Sequence, residues 1–150
     1  MKKFHFSLDT VLGYKQQVLD SLRTEHAALL KQVADQEKVI AQLVRRHQDL
    51  NALFRQEERE GMTIAQAKTY EMGLRVLEQQ IKAETERLRK LEQAAEKKRQ
   101  QVVAARQETA SLEKLREQKL DGYRKAVQKQ EEQFIDELVS ASRVTAPPAV

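Results

Sequence analysis

The nine residues 58–66, EREGMTIAQ, carry the signals that divide this chain into two helices. Gly61 suits the left-handed backbone conformation that ends many helices, because glycine has no Cβ to clash. Thr63 followed by Gln66 has the spacing of a capping box, which starts a helix. The stretch therefore predicts a turn at about 61–63, between a helix over about 7–60 and a longer one over about 64–142.

The composition favours long helices over a compact globule. Of the 150 residues 33% are charged and only 5% aromatic, and both prolines lie in the last four residues. Lys, Arg, Glu, Gln, Ala and Leu dominate, and these residues enter helices at little cost. The absence of cysteine, and of an apolar run near the ~18–20 residues of a membrane span, predicts a cytoplasmic protein without direct membrane insertion.

The first helix has a coiled-coil seam. Positions taken alternately four and three residues apart give fourteen sites, of which ten are apolar. These sites are Leu8, Leu12, Lys15, Leu19, Leu22, His26, Leu29, Val33, Gln36, Ile40, Leu43, His47, Leu50 and Phe54.

The second helix repeats the pattern from Tyr70 to Leu112. If the chain folds back at Gly61 and residue i faces residue 124 − i, Phe54 meets Tyr70 and most apolar positions match. Ile40 opposite Glu84 and Gln36 opposite Leu88 match poorly. The predicted fold is all-α, an antiparallel two-helix coiled-coil hairpin over residues 1–143 with the second helix longer, followed by a disordered tail at 144–150.

The second helix is predicted to outrun the first. The first helix begins near residue 7, opposite residue 117, which leaves about 25 residues, or roughly 37 Å, without a partner helix. Apolar residues there form a new stripe of Tyr123, Val127, Phe134 and Leu138. We expect a partner protein to cover this stripe, because an isolated helix is marginal in water. The alternative is a frayed helix end, or an extension of the helix without a function.

Charge changes sign along the same helix. Residues 97–129 hold ten Lys or Arg against four acids, and an acidic block of Glu131, Glu132, Asp136 and Glu137 follows. A basic helix can bind nucleic acid. However, acids are mixed with the bases, no stacking aromatic residues alternate with them, and no recognition motif is present, so no nucleic-acid partner is predicted. The basic segment is then either a solvated helix face or a surface that docks a protein.

Catalytic chemistry is not predicted. The sequence has no glycine-rich phosphate loop, and its three histidines cannot share a metal, since His26 and His47 lie ~31 Å apart along a helix. A helical hairpin also offers no deep pocket. We therefore predict a protein that is not an enzyme and that needs no cofactor or metal.

Several segments together resemble the FliJ family of bacterial flagellar type III export proteins. They are FHFSLDTVLGYK at the N-terminus, TYEMGLRVLEQQI in the centre, LEKLREQKLDGYRKA from residue 112, and EEQFIDELV near the end. The resemblance implies an antiparallel coiled coil similar to the central stalk of rotary ATPases. Such a stalk inserts into the hexameric flagellar export ATPase and promotes ring assembly and ATP hydrolysis. It also contacts the export gate, a membrane protein, and escorts export chaperones.

The resemblance also implies site residues and a location. The ATPase-ring-binding positions that match the family pattern are Leu112, Leu115, Tyr123, Glu131, Asp136 and Glu137. Tyr70 and Leu77 match in the half nearer the turn, which faces the gate. Gly73 departs from the pattern where a bulkier residue would strengthen that face. The implied location is the cytoplasmic face of the inner membrane near the flagellar base.

Two other classes of function remain open from the residues alone. A homo-oligomeric structural coiled-coil scaffold would have the same heptads, but a parallel dimer has no use for the turn at Gly61. A nucleic-acid-binding rod would bind with an affinity that falls steeply with salt.

Overall fold

A computed structural model describes residues 2–145, which contain two α-helices and no strand. Helix α1 spans Asp9–Glu60 and helix α2 spans Ile64–Thr145. The helices pack against each other as a hairpin with the second helix longer, which confirms the predicted fold class. Of the tail predicted to be disordered, residues 146–150 lie outside the described residues.

The turn has the predicted chemistry. Gly61 has a φ of 100°, a conformation in which a side chain would be strained. The Thr63 N–H donates to Gln66 Oε1 at 3.0 Å, and the Gln66 N–H donates to Thr63 Oγ1 at 3.2 Å. This reciprocal pair is the predicted capping box, and it satisfies backbone donors that the first turn of α2 leaves unpaired.

The contacts group the chain into two compact units. Unit 2 is Asp20–Val103 and contains the turn. In it the rings of Phe54 and Tyr70 lie 5.3 Å apart at 43°. Further along, Lys98 Nζ lies 2.7 Å from Glu25 Oε2, and His47 Nε2 lies 3.1 Å from Glu78 Oε1. Each of these pairs lies within one residue of the predicted register. The predicted meeting of Phe54 with Tyr70 is confirmed.

Unit 2 contains two contacts that the predicted register does not include. Gln36 is buried, and its amide donates to the Glu84 backbone carbonyl at 3.0 Å and to the Glu84 carboxylate. In the predicted register Gln36 and Glu84 each faced an apolar residue. In the structure they lie about one helical turn from that register and form hydrogen bonds with each other. At Gly73, where the family pattern has a bulkier residue, a Cβ would lie 3.1 Å from Leu50 Cδ2. It lies where α1 approaches closely.

Unit 1 combines the N-terminal residues up to Leu19 with the chain from Ala104 onward. Its best-buried side chains include Leu12 at 5% exposure, Leu19 at 6% and Phe6 at 5%. Thr109 is also buried, and its hydroxyl donates to the Ala105 carbonyl at 2.8 Å. Phe6 precedes α1, so the apolar core of unit 1 includes chain that is not helical.

Candidate partner-binding surface on the last turns of α2

The solvent exposure of α2 changes after Val127. Residues from Gln128 to Val144 are all exposed, whereas Val127 and Tyr123 are half-buried. We call residues 128–144 the α2 extension.

The half-buried part just before the α2 extension is covered by the chain's own N-terminus. We call residues 2–6 the N-terminal strap. The Tyr123 hydroxyl donates to the Lys2 carbonyl at 2.7 Å, and the Phe4 and Tyr123 rings lie 5.5 Å apart at 50°. The Arg116 guanidinium lies 5.7 Å from the centre of the Phe4 ring, and its Nε lies 3.8 Å from Asp9 Oδ1.

The N-terminal strap corrects the predicted point at which α2 loses cover. The sequence placed that point opposite the start of the first helix, near residue 117. Non-helical chain advances up to ~3.3–3.6 Å per residue and a helix only 1.5 Å, so five residues can follow two or three turns of α2. Tyr123, which is predicted to contact the ATPase ring, contacts the N-terminal strap in this structure.

An apolar face lies on the α2 extension. Phe134 is 62% exposed, Ile135 57%, Leu138 54% and Val139 46%. Spacings of one, four and five residues place all four on one side of a helix. The sequence stripe included Phe134 and Leu138 but missed Ile135 and Val139, which the i+1 and i+5 positions could have revealed.

The three predicted acidic positions are exposed and point in different directions. Glu131, Asp136 and Glu137 all lie on the α2 extension. At about 100° per residue, Asp136 lies ~140° around the helix from Glu131, and Glu137 lies another ~100° further. Glu131 shares the side of Leu138 and the apolar face. The carboxylates therefore surround this part of the helix.

The remaining ring-binding predictions, Leu112 and Leu115, lie within unit 1 and are half-buried. Nearby, Lys15 Nζ lies 2.8 Å from Glu108 Oε2, and this hydrogen bond raises the pKa of Lys15. The structure thus brings together Glu131, Asp136 and Glu137 on the exposed extension, while the two leucines belong to the packed part of the hairpin.

The predicted gate-binding residues lie in unit 2. Tyr70 and Leu77 are both half-buried, and Tyr70 packs on Phe54. A hydrogen bond to the Glu57 side chain raises the pKa of Tyr70, with smaller contributions from burial and from the carboxylate charge. The exposed apolar residues of α2 in this region include Ile64 at 78%, and Met72 at 67% with Val76 at 51%, the last two one turn apart. Sequence reasoning missed them because it followed the seam period.

Other chemistry is limited among residues 2–145. These residues include no group of three His, Asp or Glu placed to hold a metal ion. No described helix is long and apolar enough to cross a membrane. Exposed ion pairs along α2 join Glu86 to Arg89 and Glu96 to Arg99, and in each the hydrogen bond from arginine lowers the pKa of the carboxyl.

Comparison with known proteins gives one family. The family model described as flagellar FliJ protein matches residues 4–144, which is nearly the whole chain. The match includes part of the N-terminal strap, both helices and the α2 extension. Among curated proteins no significant match is found, and the same holds for solved structures.

Proposed function

This chain belongs to the FliJ family, whose members are components of the flagellar export apparatus rather than catalysts, and from that we propose a stalk function. The protein binds the hexameric flagellar export ATPase through the last turns of α2. Binding promotes assembly of the ATPase ring and its ATP hydrolysis. The same protein links the ring to the export gate and to substrate chaperones.

The exposed apolar face of the α2 extension is the observation that carries this proposal. Four large apolar side chains at 46–62% exposure occupy two turns of one helix. Water contact with apolar surface is unfavourable by roughly 25 cal/mol per Å², so a partner that covers the face gains binding energy. The face is small, which suits a contact that forms and breaks.

The distribution of acids supports a surrounding partner over a flat one. Glu131, Asp136 and Glu137 point to three sides of the α2 extension, as described above. A single flat surface meets only one or two of these carboxylates, because the others point away from it. A socket that encloses the helix can meet all three, and the interior of a ring is such a socket.

Contact with the export gate involves the half of α2 nearer the turn. Met72 and Val76 form an exposed apolar pair one turn apart, next to the half-buried Tyr70 and Leu77. We assign contact with the gate to this side of α2. Tyr70 and Leu77 then support the surface from beneath.

The test measures binding to the cognate export ATPase, together with ATP turnover and ring formation of that enzyme. The full chain is compared with a chain that ends at Val127 and with the double variant F134A/L138A. The truncation removes only exposed turns of α2, so the packed part of unit 1 is kept. Val144→Ala is the matched control. Val144 is 84% exposed, and the helical period places it on a different side of α2 from the apolar face.

We expect the full chain and Val144→Ala to raise turnover and ring formation equally. The truncation and the double variant should bind at least about tenfold more weakly, which corresponds to ~1.4 kcal/mol. A truncated chain that stimulates as well as the full chain would overturn the assignment of the α2 extension. A full chain that does not bind the ATPase would overturn the stalk function itself.

A further inference from the structure

The N-terminal strap is attached firmly at one end and loosely at the other. Phe6 is 5% exposed, and its carbonyl accepts the Asp9 N–H at 3.1 Å in the turn that leads into α1. Lys2, Lys3 and His5 are exposed, and Phe4 is half-buried. Residues 2–5 can therefore leave α2 while Phe6 stays in the core of unit 1.

The surface beneath the N-terminal strap continues toward the apolar face of the α2 extension. Tyr123, Val127, Phe134 and Leu138 follow one another at spacings of four, seven and four residues, which keeps them on one side of α2. The strap covers the first of these residues, and the last two are exposed. This side of α2 is thus covered at Tyr123 and open at Phe134 and Leu138.

The contacts that hold residues 2–5 are of a kind that a partner can replace. The hydrogen bond from Tyr123 to the Lys2 carbonyl is exposed, so water or another acceptor can take its place. Phe4 packs against Tyr123 with the rings tilted at 50° and lies beneath the Arg116 guanidinium, and any apolar side chain of suitable size can fill that position. Arg116 also lies 3.8 Å from Asp9 Oδ1, so it has a charged neighbour besides Phe4.

We propose that residues 2–5 are an autoinhibitory cover for the partner-binding stripe of α2. In the free protein these residues cover the side chain of Tyr123. The ATPase must displace them to bind along the whole stripe. This inference rests on the proposed function, because it takes the ATPase as the partner of the stripe. The apparent affinity equals the intrinsic affinity multiplied by the fraction of molecules in which the cover is open, so a mostly closed cover weakens binding.

The first part of the test asks whether the cover is closed in the free protein. The chain has no cysteine, so introduced thiols are unique. Lys3 and Gln130 line the same shallow cavity with Tyr123, and the variant K3C/Q130C is treated with a reductant-cleavable bismaleimide. The matched control is K3C/Q128C, because residue 128 lies ~200° around the helix from residue 130. We expect cross-linking within the chain for the first pair and at least about fivefold less for the second, as its thiol lies on the far side of α2.

The second part measures the affinity of full-length protein for the export ATPase. The cross-linked K3C/Q130C protein holds the cover closed and should bind at least about tenfold more weakly than the same protein after reductive cleavage. Deletion of residues 2–5 removes the cover, keeps Phe6, and should bind about threefold more tightly than wild type or better.

Each contrary result identifies what has failed. Equal cross-linking of the two cysteine pairs would mean that the N-terminal strap does not dock on Tyr123. Equal affinity of the locked and cleaved proteins, or weaker binding after the deletion, would overturn the inhibitory role. Failure of wild-type protein to bind the ATPase would overturn the proposed function and with it this inference, and it is seen without any variant.

Discussion

Gln36 on α1 and Glu84 on α2 form the one buried amide contact between the helices of unit 2 among the described residues. Gln36 is 7% exposed, and its amide donates to both the backbone carbonyl and the carboxylate of Glu84. A polar pair in an otherwise apolar seam restricts register, because any shift leaves buried polar atoms unpaired.

Replacing Gln36 with alanine should lower the free energy of unfolding by about 1–2 kcal/mol, since the hydrogen bonds to Glu84 are lost. Gln48→Ala is the matched control, because Gln48 is exposed on α1. It should change stability by less than about 0.5 kcal/mol. Urea unfolding followed by circular dichroism measures both, and equal losses for the two variants would contradict the assigned role.

Phe6 should contribute more to stability than any other residue before α1. Phe6→Ala removes a side chain that is 5% exposed and should cost about 3 kcal/mol. Phe134→Ala, at an exposed position of the α2 extension, should leave the free energy of unfolding nearly unchanged. Thermal and urea unfolding of the two variants give the comparison. A small effect of Phe6→Ala would show that the core of unit 1 begins only at α1.

The glycines should respond to alanine according to their surroundings. Gly122→Ala should stabilise by about 1 kcal/mol, because a Cβ there meets nothing within 4 Å and alanine favours helix. Gly61→Ala should destabilise by about 1–2 kcal/mol, because φ is 100°. Gly73→Ala should gain less than Gly122→Ala, since the new Cβ presses on Leu50 at 3.1 Å. Melting temperatures rank the three, and any other order would contradict these environments.

Tyr70 should lose its proton at higher pH than an ordinary tyrosine. The hydrogen bond to Glu57 raises the pKa of Tyr70, so the folded state holds this proton more tightly than the unfolded state. The stabilisation is complete below pH ~10 and is lost as pH rises through the folded-state pKa. Absorbance titration in a Y14F/Y123F background reports Tyr70 alone. Glu57→Gln should lower its midpoint, and an unchanged midpoint would exclude the Glu57 contact as the cause.

The free protein should be a monomer. Light scattering at micromolar concentration should give a mass near 17.4 kDa, because each seam residue already packs within the chain. A mass twice as large that is independent of concentration would favour the homo-oligomeric scaffold. Light scattering of Gly61→Ala further distinguishes the monomeric hairpin from the homo-oligomeric scaffold, because only the hairpin depends on this turn.

The sequence by itself determined the two helices, their turn and their seam. All the heptad positions predicted on both helices, Lys15, Gln36 and His47 included, are buried or half-buried. The capping box at Thr63 and the left-handed Gly61 follow from residues a few positions apart. Period and capping are local properties, so the order of residues specifies them without knowledge of distant contacts.

Only the tertiary structure decided which parts of that pattern are covered. The contact between Lys2 and Tyr123 joins residues 121 positions apart, and no local period encodes it. The partner of Gln36 and the close approach of Leu50 to Gly73 likewise depend on how two helices offset against each other by a fraction of a turn. Such contacts depend on side-chain length and on the path of non-helical chain. For this reason the sequence located Phe134 and Leu138, whereas only the tertiary structure decided that the N-terminal strap covers Tyr123 and that full exposure begins after Val127.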